Sequence, residues 1–487
     1  MPPRFLLADL PVDRPLIGDG AGAVDGPGFA RAVALFAEAL GARAEPQSPV
    51  AILADNSPAW VALDLAAQQA GVALVPLPTF FTPAQRRHAL SLSGAGALCC
   101  ENPALAAELG FPLRVRGDVF PPLFEGVPAS PGAALEPGSK LTFTSGTTGE
   151  PKGVSLSAAQ QWAVAGAVAR ELAAIGVSRH LCLLPFAVLL ENVAGVYASL
   201  LCGATLVCPP LAEVGLSGSS GFDPAVCLAA IARHRPESLI LLPQMLQALM
   251  PLVSRADARL ASLKFVAVGG ARVPPALLDA AAERGIPVFE GYGLTECGSV
   301  VALNTPSSAR RGSVGRPLAH RCLRIGAEGE VEVGGGGFGH YLGDPPSEAQ
   351  WLATGDLGHI DQDGFLFIDG RRKNVLITGF GRNVSPEWPE SLLISGADVL
   401  QAVVTGDGRP HLVALLVPAG PTVTREELAT AVAAANTELP DYARIGSFAI
   451  LPEPLTAANG LATPNGRPRR AEIAARFARL VDSLYEE

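Results

Sequence analysis

A chain of 487 residues is longer than one ordinary core, so two or more domains are expected. Apolar residues make up 49% of it, which excludes disorder by composition, and a formal charge of −10 excludes the basic footprint that nucleic acid or an anionic membrane surface requires. An anionic ligand therefore needs a local positive site.

In chain order, the start from Met1 to Arg4 lacks the basic-then-apolar order of a signal peptide. The spacing of Phe29, Val33, Phe36 and Leu40 predicts a helix over 27–40. Residues 50–53 read as a buried strand, 59–70 as a helix closed by Gly71, and 72–75 as a strand ending at Pro76. Strands alternating with helices over short loops predict a parallel sheet covered on both faces. After a stretch rich in Pro and Gly over 110–138, an apolar run at 140–143 re-enters the sheet, and a long helical pattern begins at Ser157.

Strands are expected next at 181–185, 203–207, 238–242 and 265–268, with helices at 193–201, 224–234 and 244–253. Ligands of such sheets sit beyond the carboxyl ends of the strands, where Gly269, Gly270 and Ala271 lie. From Gly312 the chain turns to short alternating runs, which predict a small antiparallel β-subdomain. Beyond 369–373 a small α+β unit is expected, with strands at 402–405 and 412–417 and helices at 424–436 and 470–484. The most apolar region, 181–207, is broken by Pro185, Glu191 and Asn192, so no transmembrane segment is expected, though the composition leaves room for peripheral membrane contact. The eight cysteines form no CxxC pair and no metal spacing with the seven histidines, and scattered burial in a reducing cytoplasm is the expectation.

The stretch over 144–154, Thr-Ser-Gly-Thr-Thr-Gly-Glu-Pro-Lys-Gly-Val, packs hydroxyls and glycines together, so that backbone N–H groups and hydroxyls can converge on an anion. It is not a GxxxxGK[ST] loop, since Gly146 and Gly149 are three apart and Lys152 is followed by Gly153. The stretch resembles the signature of the acyl-adenylate-forming, or AMP-binding, superfamily: acyl-CoA synthetases, firefly luciferases and the adenylation domains of peptide synthetases. Gly291-Tyr292-Gly293-Leu294-Thr295-Glu296, Thr354-Gly355-Asp356-Leu357 and Gly370-Arg371-Arg372-Lys373 match the same family in order and spacing. The likeness runs from about residue 52 to the C-terminus and is nearest in look to fatty acyl-CoA synthetases.

The resemblance implies an α/β fold: a large N-terminal domain of layered sheets with a small β-subdomain (1–370) and a mobile α+β C-terminal lid (371–487). It implies ATP-dependent activation of a fatty or aryl acid to an acyl-adenylate, then transfer to CoA or to the phosphopantetheine of an acyl carrier protein. By the same resemblance, Thr144, Ser145, Gly146, Thr147 and Thr148 cradle the β- and γ-phosphates beside Lys152, and Thr144 with Glu296 contacts Mg2+. Gly269, Gly270 and Ala271, with Glu290, Gly291, Tyr292 and Gly293, grip adenine and the acyl group, Tyr292 offering a stacking face. Thr295 meets the α-phosphate, Asp356 the ribose with Arg371 assisting, and Lys373 is the hinge of the lid. The loop over 378–386 matches the one that enters the site for thioester formation, with Gly381-Arg382 where a glycine-glutamate pair is frequent.

Two departures bear on activity. Val188 stands where long-chain synthetases usually carry a histidine, which makes the acid pocket greasier and favours an aliphatic or aryl acid over an amino acid. The last family motif, 456–470, carries Arg467 in place of the lysine that bridges carboxylate and α-phosphate. Arginine keeps the charge but presents a flat fork, and losing one such donor lowers rates by roughly 10² to 10³. Slow adenylation is the expectation. The rival readings are a nucleotide- and acyl-binding homologue impaired in adenylation, or an enzyme of the thioester half-reaction alone. Arg469 and Arg470 read as a solvated basic patch.

Overall fold

The computed structural model describes residues 13–115, 119–126, 135–144, 152–218, 221–344, 349–377, 383–463 and 466–486. Two large sheets dominate its N-terminal part. One runs in the order Arg316–Pro317, Ser299–Leu303, Val288–Leu294, Phe265–Val268, Ser238–Leu241, Arg179–Leu181, Thr205–Val207, Ile17–Gly18 and Ala23–Val24. The strands from Val288–Leu294 to Ile17–Gly18 pair in parallel, and the edges are antiparallel. The other carries His340–Tyr341, Lys152–Leu156, Lys140–Thr144, Leu74–Pro76, Val50–Leu53, Ala97–Cys100, Leu123–Glu125 and Leu113–Arg114.

Between the sheets lie helices whose sequences explain their ends. Ser57 caps Pro58–Ala70 by accepting from the Trp60 N–H, and Gly71 closes it at φ 69°. Ser157 and Gln160 form a capping box on Ala158–Ile175, which Gly176 closes at φ 73°. From Trp60 to Gln68 every side chain is buried, Asp64 included. That aspartate accepts from Lys140 of one sheet at 2.8 Å, and Glu191, on the next helical segment, meets His180 of the other at 2.9 Å. The central layer therefore carries buried ion-paired networks inside a largely apolar core.

The predicted helix over 193–201 is a π-helix at Leu190–Tyr197 followed by one α-turn, Ala198–Leu201. Its polar residues, Glu191 and Asn192, do not interrupt it because both are buried with partners. Leu74–Pro76 starts two residues later than expected, since pairing to the Lys140 strand begins at Leu74. Likewise the ladder of Arg179–Leu181 stops where side chains take over the backbone of Leu183 and Leu184.

The β-subdomain is a four-stranded antiparallel sheet of Cys322–Ile325, Glu330–Gly334, Trp351–Ile360 and Leu366–Arg371. The small C-terminal domain holds Val399–Thr405, Leu412–Pro418 and Ile445–Ile450 with helices Glu387–Leu393, Arg425–Thr437 and Arg470–Ser483. Its two buried clusters are built from its own residues alone. Sequence periodicity did not give the Ile445–Ile450 strand or the Glu387–Leu393 helix. Among the described residues no helix is long and apolar enough to cross a membrane. All eight cysteines are free, and only Cys322 is exposed.

Candidate active site

Two neighbouring parallel strands, Phe265–Val268 and Val288–Leu294, aim their carboxyl ends at one cleft, with Val268 opposite Glu290. Gly269, Gly270 and Ala271 follow the first, and Gly291, Tyr292 and Gly293 lie in the second. Gly270 sits at φ 86°, in the left-handed region that favours glycine. A Cβ at Gly293 would lie 1.8 Å from the Ser299 carbonyl, so only glycine fits there. The cleft is thus walled by bare backbone.

Tyr292 packs against two apolar clusters, one holding Val333 and Phe338 and the other Leu366, and its hydroxyl donates to Asp356 Oδ2 at 2.6 Å. Arg371, opposite Asp356 across the ladder, pairs its Nε with Asp356 Oδ1 at 2.6 Å. Burial raises the Asp356 pKa, and Arg371 with the phenol opposes that rise. The same burial, with the carboxylate beside it, holds the Tyr292 phenol protonated. Glu290 is buried, and burial pushes its pKa up to about 8 against the backbone N–H of Val273 and the Arg272 charge.

Thr295 opens the short turn Thr295–Cys297, which Gly298 closes at φ 79°. Glu296, in that turn, accepts from the Tyr341 hydroxyl at 2.5 Å. Lys152 heads its strand directly opposite Thr144, and its Nζ stands 5.8 Å from the Tyr341 ring centroid. The strand pair therefore delivers the two ends of the glycine- and hydroxyl-rich stretch to the cleft; Ser145, Gly146, Thr147 and Thr148 themselves lie outside the described residues, as does 378–382. Lys373 sits in the turn Arg372–Asn374, where burial and then the Arg371 and Lys152 charges lower its pKa.

From the C-terminal domain Arg467 reaches the same cleft. Its Nε donates to the Gly270 carbonyl at 2.9 Å, and Nη2 donates to the same oxygen. Arg371, Asp356, Tyr292 and Glu296 all lie within its electrostatic reach. Lys152, Arg371, Lys373 and Arg467 thus bring positive charge near one another in a chain of net charge −10.

Several partners escaped sequence reading. Glu330 fixes the approach to Asp356 by accepting from the Gly355 N–H and from Arg372, both at 2.8 Å. Arg470, expected to be solvated, is mostly buried and pairs with Glu390 at 2.6 Å and Glu387 at 3.4 Å. Glu387 in turn accepts from Asn374 and Ser385, tying the last helix to the turn that carries Lys373. Lys140 and Glu191 stand beside or inside apolar runs of the sequence, and the structure makes each the centre of a buried network. His180, Cys182 and Glu191 bring ligand atoms within 4.8 Å of one another although no spacing announced it. Both ring nitrogens of His180 and both oxygens of Glu191 are already hydrogen-bonded there.

Two α/β sheets, a β-subdomain and a small C-terminal domain whose arginine closes on a glycine-rich strand end make up the architecture of an adenylate-forming enzyme. The chain belongs to the AMP-binding enzyme family: the model of the AMP-binding enzyme matches residues 27–338, and that of the AMP-binding enzyme C-terminal domain matches 373–487. It is 34% identical over 404 residues to the 3-[(3aS,4S,7aS)-7a-methyl-1,5-dioxo-octahydro-1H-inden-4-yl]propanoyl:CoA ligase of Mycobacterium tuberculosis, covering 74% of this chain and 76% of that one. To the indoleacetate–CoA ligase of Aromatoleum aromaticum it is 30% identical over 402 residues, covering 74% and 75%. Its fold superposes on o-succinylbenzoate CoA synthetase from Bacillus subtilis, solved with its acyl-adenylate intermediate, at a TM-score of 0.77, with 25% identity and coverage of 97% and 98%.

Proposed function

We propose that this chain is an AMP-forming acid–thiol ligase that activates a fatty or aryl carboxylic acid with ATP and passes the acyl group to CoA. The observation that carries this reading is the grip of Arg467, from the C-terminal domain, on the Gly270 carbonyl, with the charges of Arg371, Asp356 and Glu296 and the Tyr292 phenol near enough to act on it. In the first step a carboxylate oxygen attacks the α-phosphorus, the bond to the β-phosphate oxygen breaks, and pyrophosphate leaves. In the second a thiolate attacks the acyl carbon and AMP leaves.

Lys152 and Arg467 offset the charge that builds on the phosphates. Thr295 holds the α-phosphate, Asp356 with Arg371 accepts the ribose hydroxyls, and the backbone over 269–271 and 290–293 flanks adenine. Asp356 suits that task because Arg371 and Tyr292 orient both its oxygens without using all their lone pairs. Glu296, a hard oxygen donor held by Tyr341, fits Mg2+, which Glu296 and Thr144 would hold and which supplies charge neutralisation on the polyphosphate. The domain boundary falls at 370/371 with Lys373 as hinge. The chain works in the cytoplasm. An acyl carrier protein would reach the site through the same pantetheine arm as CoA.

A second reading, impaired adenylation, is favoured by one observation: Arg467 commits two N–H groups to the Gly270 carbonyl. The test is acid-dependent pyrophosphate release with acetic, octanoic, palmitic, benzoic and indole-3-acetic acids, followed by thioester detection with CoA and with a phosphopantetheinyl carrier protein. Release with an acid of the ring or long-chain group establishes the ligase. Silence with every acid, combined with ATP binding, establishes the impaired reading.

A further inference from the structure

The glycine run over 334–337 offers no side chain to hold it, yet its backbone is held. Gly335, Gly336 and Gly337 stand in succession at φ 110°, 68° and 59°, in the left-handed region that glycine enters without strain. A Cβ at Gly335 would lie 2.6 Å from the His320 carbonyl, so the turn closes tightly on the chain beside it. The next residue along that neighbouring chain is Arg321, only 8% exposed, and the acceptors of its guanidinium are three backbone carbonyls. Nη1 donates to Gly336, while Nη2 is shared between Gly337 at 3.2 Å and Cys297 at 3.0 Å. The same guanidinium stands 5.0 Å from the Phe338 ring centroid. A buried cation must find acceptors, and its planar fork finds them here on two separate segments, the glycine run and the turn Thr295–Cys297.

The contacts continue along the chain. The Gly339 N–H donates to the Glu296 carbonyl at 2.7 Å, and the Tyr341 hydroxyl donates to Glu296 Oε1 at 2.5 Å. Tyr341 also stands opposite Val154 on the strand that Lys152 heads, and the Leu342 N–H donates to the Gly153 carbonyl at 2.8 Å. At Gly339 a Cβ would come within 2.7 Å of Leu156 and 2.8 Å of Val154, so the segment lies flat on that strand. Glu296 is therefore fixed at its own carbonyl, at the carbonyl of the next residue and at one carboxylate oxygen. Among the described residues no protein donor takes the other oxygen.

We infer that Arg321 and Tyr341 are positioning residues, with the segment 336–341 a strap between them, and that together they set Glu296 for the divalent cation that accompanies a nucleoside triphosphate. The inference rests on the reading of Glu296 as a Mg2+ ligand. A small, hard ion demands near-octahedral geometry, so a ligating carboxylate has to stand in one place. The strap fixes that place relative to the strand pair of Lys152 and Thr144.

The test measures the dissociation constant of ATP by calorimetry on the full chain, once with excess Mg2+ and once with EDTA, for the native protein and for Arg321→Ala, Gly336→Ala and Tyr341→Phe. Native protein is expected to bind ATP more tightly with Mg2+. Each variant should shrink that gain by about tenfold, with the affinity in EDTA within about twofold of native. Gly336→Ala puts its Cβ in open space and is strained by φ alone, so it carries the test where Arg321→Ala does not fold. Equal losses with Mg2+ and with EDTA, or an unchanged gain, overturn the strap while leaving the ligase standing. Native protein that binds ATP equally in both media overturns the Mg2+ reading of Glu296 and the strap with it.

Discussion

Arg467 grips the Gly270 carbonyl with two N–H groups, a geometry a lysine cannot make. Arg467→Lys releases that grip and restores a compact donor, so single-turnover pyrophosphate release should rise by about 10²; an unchanged or lower rate refutes the role given to this position. Asp356→Asn breaks the 2.6 Å pair with Arg371 and should raise the KM for ATP by about ten- to a hundredfold, with the KM for acid little altered. Glu290 titrates with a sign that can be checked. Its native pKa of about 8, against an ordinary 4.5, means the folded state keeps a proton that the unfolded chain has lost between those values. Its stability contribution is therefore greatest below pH 4.5 and falls toward pH 8, by at most about 1.4 kcal/mol per pH unit. Glu290→Gln should flatten the decline of Tm between pH 5 and 8; an unchanged slope rules Glu290 out as its source. The motif residues were legible because glycine, hydroxyl and charge stand at fixed offsets in the chain. The partners that hold them were not: Tyr341 lies 45 residues from Glu296 and Glu330 lies 42 from Arg372.

Elements with strong local signals fell where the sequence placed them. Val50–Leu53, Pro224–His234 and Phe265–Val268 match residue for residue, and the predicted helix over 59–70 differs by one. Each has its cap or its continuous apolar run in the chain itself. The capping box at Ser157 is such a local device, and it starts the helix just after the strand that Lys152 heads. Ser157→Ala should lower unfolding free energy by about 1 kcal/mol in urea titrations, and Ser157→Asp should restore most of it; equality of all three proteins would show the cap to be idle. By contrast, helical periodicity alone cannot distinguish an α-turn from the π-helix at Leu190–Tyr197, because the choice follows from partners on two different sheets. Ile445–Ile450 was missed for a related reason: its pairing partner, Leu412–Pro418, is joined to it only across an intervening helix.

At the scale of the molecule, the C-terminal domain keeps two buried clusters of its own, while Arg467 and the Gln247 contact to the Ile394 carbonyl link it to the larger domain. Polar ties of this kind between cores that are each self-contained predict two calorimetric transitions, the one belonging to the C-terminal domain moving least with Mg·ATP; a single cooperative peak with and without ligand refutes it. The sequence by itself determined the alternation of strands and helices, the order of the four motifs and the change of texture at the β-subdomain, since each is written in propensities and spacings within a few residues. Only the tertiary structure decided that Lys140 and Glu191 are buried rather than solvated, that Arg470 is an ion-paired tie rather than a surface charge, and that Arg467 meets Gly270. Those outcomes depend on which groups remain unsatisfied when distant segments pack, and no local pattern carries that information.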